Sequence, residues 1–233
     1  MENRSLLPMI SRKHKIDLAT YPRRGLFNAF KDRDMPCFSL TCNLDIAPLL
    51  ARLRGSGHRF SITMSYLLTV AVNRVPELRH RLIDGEPWEF ERVDPGWTVL
   101  LADKTFSFCD GVFDADFDTF HADAERRTAA VRERPDHATG DKHHMFFITS
   151  IPWLSFTAIN HPYDAQYASI PLLTLGKYFR QGEQVLLPLA IQVHHALVDG
   201  WHVARFYDEM QQLVADAAIP SAADRGRPCR DGG

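Results

Sequence analysis

The chain of 233 residues contains no apolar run long enough to cross a bilayer, which excludes a membrane-spanning helix. It has no excess of charge of either sign, since 27 Lys and Arg face 29 Asp and Glu. Nucleic-acid binders carry a basic excess, so that class is set aside, and pairs such as Arg23-Arg24 and Arg126-Arg127 read as solvated faces or ion-pair partners. Cysteine is scarce. Cys37, Cys42, Cys109 and Cys229 lack the paired spacing of zinc sites, and in a chain this large they are expected to be reduced thiols. The first residues carry charges without an extended apolar segment behind them, so no secretory signal is read there. The cytoplasm is the expected compartment, and no membrane or nucleic-acid partner is expected.

What is present suits a globular domain. Hydrophobic residues make up 45% and charged residues 24%, and the length is sufficient for one full core. No repeat or linker divides the chain. Residues 1–15 read as a flexible leader, 16–217 as a single domain, and 218–233, rich in small, polar, Pro and Gly residues, as a disordered tail.

Strands are predicted at Cys37–Leu44, Trp88–Val93, Trp97–Ala102, Thr105–Cys109, Met145–Ser150, Phe156–Asn160 and Ile170–Tyr178, with Asp94-Pro95-Gly96 as a turn between two of them. Helical spacing of apolar residues predicts helices at Ile46–Arg54, Ser61–Val75 and Asp114–Arg134, the last with acidic residues in its first turns. A short helical turn is expected at Pro76-Glu77-Leu78-Arg79. The fold class is α/β, in the sense of an α+β two-layer sandwich: a mixed, largely antiparallel sheet packed with helices.

The most informative stretch is Leu186–Arg205, LLPLAIQVHHALVDGWHVAR. An apolar strand runs into His194-His195, three residues intervene, and Asp199-Gly200 opens a helix whose stripe is Val203, Phe206, Tyr207, Met210, Leu213 and Val214. A strand, a tight turn and a helix start present an imidazole from a rigid element, and histidine is the side chain suited to take and return a proton near neutral pH. A histidine on its own at such a place is more often a strand cap bonded to nearby backbone. A metal site built from His194, His195, Asp199 and His202 is disfavoured, because adjacent strand residues face opposite sides.

The spelling His-x-x-x-Asp-Gly resembles the signature of coenzyme-A-dependent acyltransferases. Ser150-Ile151-Pro152-Trp153, Thr174-Leu175-Gly176-Lys177-Tyr178, Tyr21-Pro22-Arg23-Arg24 and Pro76-Glu77-Leu78-Arg79 extend the resemblance over roughly Ile16–Ala215, to the trimeric chloramphenicol acetyltransferase family. The resemblance implies an antibiotic-resistance enzyme that moves the acetyl group of acetyl-CoA, a co-substrate rather than a bound cofactor, to a hydroxyl of chloramphenicol. It implies His195 as general base, Ser150 as oxyanion donor, and an Asp199–Arg23 pair bracing the His195 turn. By the same resemblance Phe30, Cys37, Phe38, Phe106, His161 and Thr174 belong to the acceptor site. Trp153, Lys177 and Tyr178 belong to the coenzyme A site. It further implies a homotrimer in which His195 of one chain faces Ser150 of the next. Phe30 stands where the family usually has a tyrosine, and the stretch from His161 to Ala168 departs from the family pattern, so the acceptor pocket is expected to differ.

Several alternatives share the motif or the fold. Dihydrolipoyl acyltransferases carry lipoyl and linker segments that this sequence does not contain, and condensation domains and plant-type acyltransferases are about twice as long. A same-fold acyltransferase for another hydroxyl or thiol acceptor is the alternative that keeps the same chemistry, whereas a non-catalytic trimeric binding protein has no reason to retain His195, Ser150, Arg23 and Asp199 together.

Overall fold

The computed structural model describes residues 11–135, 137, 140–217 and 219. Cys229 and the tail from 220 lie outside the described residues. Ten strands and five α-helices follow in chain order: β1 (Lys13–Lys15), α1 (Arg24–Phe30), β2 (Cys37–Asp45), α2 (Ala47–Leu53), α3 (Phe60–Arg74), β3 (His80–Ile83), β4 (Glu86–Phe90), β5 (Asp94–Leu100), β6 (Phe106–Asp110), α4 (Phe117–Glu133), β7 (Met145–Ser150), β8 (Leu172–Leu175), β9 (Phe179–Gln181), β10 (Gln184–His194) and α5 (Gly200–Ala215). A 3-10 turn at Pro76–Arg79 joins α3 to β3.

The strands form two sheets. The larger has the order β2-β10-β8-β7-β5-β6, with β9 also paired to β10, and the smaller has the order β1-β4-β3. Only β5–β7 and β7–β8 run parallel, so the expectation of a mixed, largely antiparallel sheet holds. Part of the segment read as a flexible leader takes part in the fold, because Lys13–Lys15 pairs with β4.

β10 is the axis of the large sheet. Eight of its eleven residues are apolar and nearly all are buried, as a strand with neighbours on both edges requires. It pairs with β2 along nine residues, from Leu186–Asp45 to His194–Cys37. The core is continuous from this strand to the buried faces of α3 and α5, through Leu67, Leu68, Ala71, Val203, Phe206 and Met210. At the far end of α3, Asp116 caps α4 by accepting the N–H of Thr119 at 2.8 Å.

Two strand expectations are corrected. Asp94-Pro95-Gly96 is no turn but the first half of β5, whose ladder to β7 pairs Asp94 with Met145 and Pro95 with Phe146. Pairing to β6 begins only at Gly96–Asp110, so the missing N–H of Pro95 falls beyond that partner and costs no ladder bond. Phe156–Asn160 is no strand; residues 151–171 form no helix or strand. β7 and β8 pair directly, β10 holds the other edge of β8 and β5 the other edge of β7, so neither strand that flanks the segment has an edge to pair with it. Phe156 instead anchors the segment under Gly176, where a Cβ would meet its ring at 2.8 Å.

Arg81 is fully buried and donates to four carbonyls, those of His143 (2.9 Å), Leu78 (2.9 Å), His80 (2.6 Å) and Met145 (2.7 Å). It ties the small sheet to the first residue of β7.

Candidate active site

The His195 turn is fixed from every side. Leu197 and Val198 both donate backbone N–H to the His194 carbonyl at 3.0 Å, and the His195 N–H donates to the Pro36 carbonyl at 2.8 Å. The ring lies against Phe30, stacked at 4.1 Å between centroids, and against Phe38, tilted at 4.8 Å. Its Nδ1 is 3.2 Å from the Val198 carbonyl. A carbonyl oxygen can only accept, so Nδ1 carries the hydrogen and Nε2 keeps a lone pair, the tautomer that a general base needs. Adjacent His194 is buried, and its Nδ1 accepts the N–H of Ala196 at 3.2 Å. Among the described residues, no group of three or more His, Cys, Asp or Glu is arranged to hold a metal ion.

Asp199 begins α5 and accepts the Trp201 N–H at 3.0 Å. Its other carboxylate oxygen pairs with the Arg23 guanidinium, 176 residues earlier in the chain. Burial alone would raise the Asp199 carboxyl, but the hydrogen bond and charge of Arg23 hold it below the ordinary aspartate range. A second Arg23 nitrogen donates to the His195 carbonyl at 3.3 Å, so one guanidinium grips both ends of the turn.

Cys37 opens β2 opposite His194 and its thiol donates to the Ala168 carbonyl at 3.5 Å. Burial pushes this thiol up to about 11, so it is no nucleophile near neutral pH.

The remaining predicted residues fall in two other places. Phe106 and His161 line a cavity of about 290 Å³ over β5, β6 and β7, together with Trp97, Phe108, Phe147 and Tyr167. Lys142 and Asp110, paired with each other, are polar members of that wall. The His161 ring reaches the hydroxyl of buried Thr174 at 2.6 Å, and its backbone N–H donates to Gln192 Oε1 at 3.0 Å. Burial lowers the His161 ring below the ordinary histidine value, so it is neutral near pH 7.

Ser150 ends β7 and opens on a second cavity of about 180 Å³, bounded by α3, α4 and β5. Trp153, Lys177 and Tyr178 are not among the residues that line it, and Trp153 and Tyr178 are exposed. The Lys177 N–H donates to the Leu154 carbonyl at 2.7 Å, and Tyr178 lies edge-on to Phe60 at 6.2 Å. Arg59, Ser61 and Arg132 line the same cavity and were not singled out from the sequence. The glycine-flanked loop before α3 was the one signal that could have pointed to Arg59.

The register sets the two reactive groups apart. Ser150 pairs with Leu175 and Leu175 with Leu189, whereas His195 follows six residues beyond Leu189. At the rise of a strand this is about 20 Å along the sheet, in addition to two strand spacings across it.

Residues 12–211 match the sequence profile of chloramphenicol acetyltransferase. The chain belongs to the chloramphenicol acetyltransferase family. It is 36% identical over 202 residues to a chloramphenicol acetyltransferase of Proteus mirabilis, covering 84% of this chain and 92% of that protein. It is also 36% identical over 208 residues to chloramphenicol acetyltransferase 3 of Escherichia coli, covering 85% and 95%. A solved chloramphenicol acetyltransferase superposes with a TM-score of 0.82 at 25% identity, over 87% of this chain and all of that one. A solved dihydrolipoamide acetyltransferase of Azotobacter vinelandii shares the fold, with a TM-score of 0.64 at 18% identity over 83% of this chain and 86% of that one.

Proposed function

We propose that the protein is an O-acetyltransferase that moves the acetyl group of acetyl-CoA to a hydroxyl of chloramphenicol. The observation that carries the chemistry is the His195 ring, with Nδ1–H committed to the Val198 carbonyl and Nε2 left free to accept. Nε2 takes the proton of the acceptor hydroxyl as that oxygen attacks the thioester carbonyl carbon. Ser150 Oγ donates to the oxyanion of the tetrahedral intermediate. The intermediate collapses with cleavage of the carbon–sulfur bond, and His195 returns the proton to the sulfur, giving the acetyl ester and coenzyme A. No acyl-enzyme forms, so the rate gain comes from holding both substrates together, from proton transfer and from oxyanion stabilisation.

In this reading the Ser150 cavity admits coenzyme A, with Arg59 from its wall as a cation for the phosphates, while Trp153, Lys177 and Tyr178 line the rest of the coenzyme's path. The aromatic cavity takes the acceptor against Phe106 and His161, while Phe30, Cys37 and Phe38 wall the acceptor on the His195 side; Thr174 fixes the His161 ring. The separation of Ser150 from His195 within one chain supports a homotrimer with each site formed between neighbours. A cytoplasmic location and a role in antibiotic resistance belong to the same reading. The His161 ring in an otherwise largely aromatic wall favours one variation, a related hydroxyl compound as the better acceptor.

The deciding experiment is thiol release from acetyl-CoA with and without chloramphenicol, beside a His195→Ala control. Chloramphenicol-dependent release that the control lacks is the expected result. Release that survives in the control would remove His195 as the base, and absence of release in the wild type would redirect the search to other hydroxyl acceptors.

A further inference from the structure

Behind the His195 turn lies a chain of polar contacts with a histidine at an unusual place. His202 is the third residue of α5 and is buried. In a capping box that place normally holds Glu or Gln, whose side chain accepts the backbone N–H of the N-cap residue. Here the Asp199 N–H donates to His202 Nδ1 at 3.1 Å. A ring nitrogen accepts only through its lone pair, so the hydrogen sits on Nε2, which faces Glu77 Oε1 at 3.5 Å. The other carboxylate oxygen of Glu77 is buried with no hydrogen-bond partner among the described residues.

The same Nδ1 lies 2.9 Å from the Asp199 carboxylate. The protonation state of this ring therefore decides what Asp199 holds. With the ring neutral, the Asp199 N–H is capped and its carboxylate is left to Arg23 and to the Trp201 N–H. A protonated ring cannot accept that N–H, and its new Nδ1–H adds a positive charge beside Oδ1, the oxygen that accepts the Trp201 N–H, which loosens the carboxylate whose Oδ2 Arg23 holds. Arg23 is the group that also donates to the His195 carbonyl.

We propose that His202 is a positioning residue for His195: its neutral ring caps Asp199, keeps the Asp199 carboxylate on Arg23, and so holds the His195 turn in the geometry for proton transfer. The charged and titratable groups around it are Glu77 from the 3-10 turn, His80 from β3, Arg23 before α1, and Asp199 and Arg205 from its own element. Burial, the largest influence, pushes the ring below the ordinary histidine value; the two carboxylates oppose this and the two arginines add to it. Burial thus favours the neutral, capping form of the ring.

The proposal rests on His195 as the base, and its test compares wild type, His202→Gln and His202→Ala. Two measurements are made: the pH profile of kcat/KM for chloramphenicol acetylation, and the His195 tautomer by nitrogen-15 NMR. Gln can accept the Asp199 N–H but cannot ionise. His202→Gln is expected near the wild-type rate at neutral pH, with an acid limb that falls by one proton where the wild type falls by two. His202→Ala is expected to lose about tenfold or more in kcat with little change in KM, and to lose the fixed Nδ1–H state of His195. Wild-type kcat in His202→Ala, or an unchanged two-proton limb in His202→Gln, overturns the proposal. Should the alanine variant not fold, the acid limb of the glutamine variant decides. Should the wild type fail to acetylate chloramphenicol, the functional reading has failed, and an unchanged His195 tautomer in both variants separately overturns the role of His202.

Discussion

Ser150 and His195 stand at opposite ends of the same sheet, on strands separated by β8. A base and an oxyanion donor about 20 Å apart cannot flank one thioester from a single chain. If both serve one reaction, each must work with its counterpart in a neighbouring subunit.

Complementation tests this directly. Ser150→Ala alone is expected to lose about a hundredfold or more in kcat, and His195→Ala a similar or larger factor. Unfolding the two variants together and refolding them as a mixture creates sites that join an intact His195 to an intact Ser150. Activity well above either variant is expected. A mixture no more active than its parts would place the two residues in separate reactions.

Arg23→Ala is expected to lower both stability and activity. Its side chain is 11% exposed and that of Asp199 26%, so the change leaves a carboxylate in partial contact with water. A loss of about 2–3 kcal/mol follows, below that of a fully buried pair, and it is read by thermal or urea unfolding. Arg23→Lys retains the charge but lacks the planar fork that reaches the Asp199 carboxylate and the His195 carbonyl together, so its kcat is expected to stay low. A purely kinetic effect of the alanine variant would contradict the bracing role.

Stability is expected to fall on mild acidification. Burial lowers the His80 ring to about 3 and the His194 ring to about 4. The unfolded chain keeps the ordinary histidine value near 6.5, so below it the unfolded state binds more protons than the folded one. Stability is therefore fully present above about 6.5 and drops by about 1.4 kcal/mol per pH unit for each ring as the pH falls towards 4. Urea unfolding between these limits measures the slope, and His194→Gln should reduce it. A flat profile would mean that these rings are hydrated in the fold.

Gly176→Ala is expected to disturb the coenzyme A edge. The added Cβ would lie 2.8 Å from the Phe156 ring and 3.2 Å from the Leu154 carbonyl, which accepts the Lys177 N–H. The expected cost is about 1–3 kcal/mol in unfolding measurements, with a raised KM for acetyl-CoA. An unchanged KM beside a lower melting point would confine the residue to stability.

How much of this was legible in the sequence depends on the distance along the chain. The His195 turn could be read because strand, turn and cap are consecutive from Val185 to Asp199. The partnership of Arg23 with Asp199 was reachable only through family resemblance, since nothing local in either residue points to the other. Asp94-Pro95-Gly96 was misread because a proline's effect depends on which partner its nitrogen faces, and that is fixed by β6 and β7, not by neighbours in sequence. Phe156–Asn160 has strand-forming residues, but the strands that flank it in sequence, β7 and β8, pair directly with each other. Arg59 was missed because its place in the Ser150 cavity comes from α3 packing beside α4 and β7.

Residues 151–171 contribute His161 and Tyr167 to the aromatic cavity, while Ser150 ends β7 and His195 follows directly on β10. On the proposed function, a share of recognition is therefore written in a segment apart from the reacting residues, the rest coming from Phe106 and from Phe30 and Phe38 beside His195. The segment is tied down at its edges, where Ile151 donates to the Leu175 carbonyl and Phe156 packs under Gly176. Between those ties, substitutions can reshape what is recognised without moving the base or the oxyanion donor. Under drug selection such a chain can change its preferred antibiotic by drift in one surface segment, with its chemical step inherited intact.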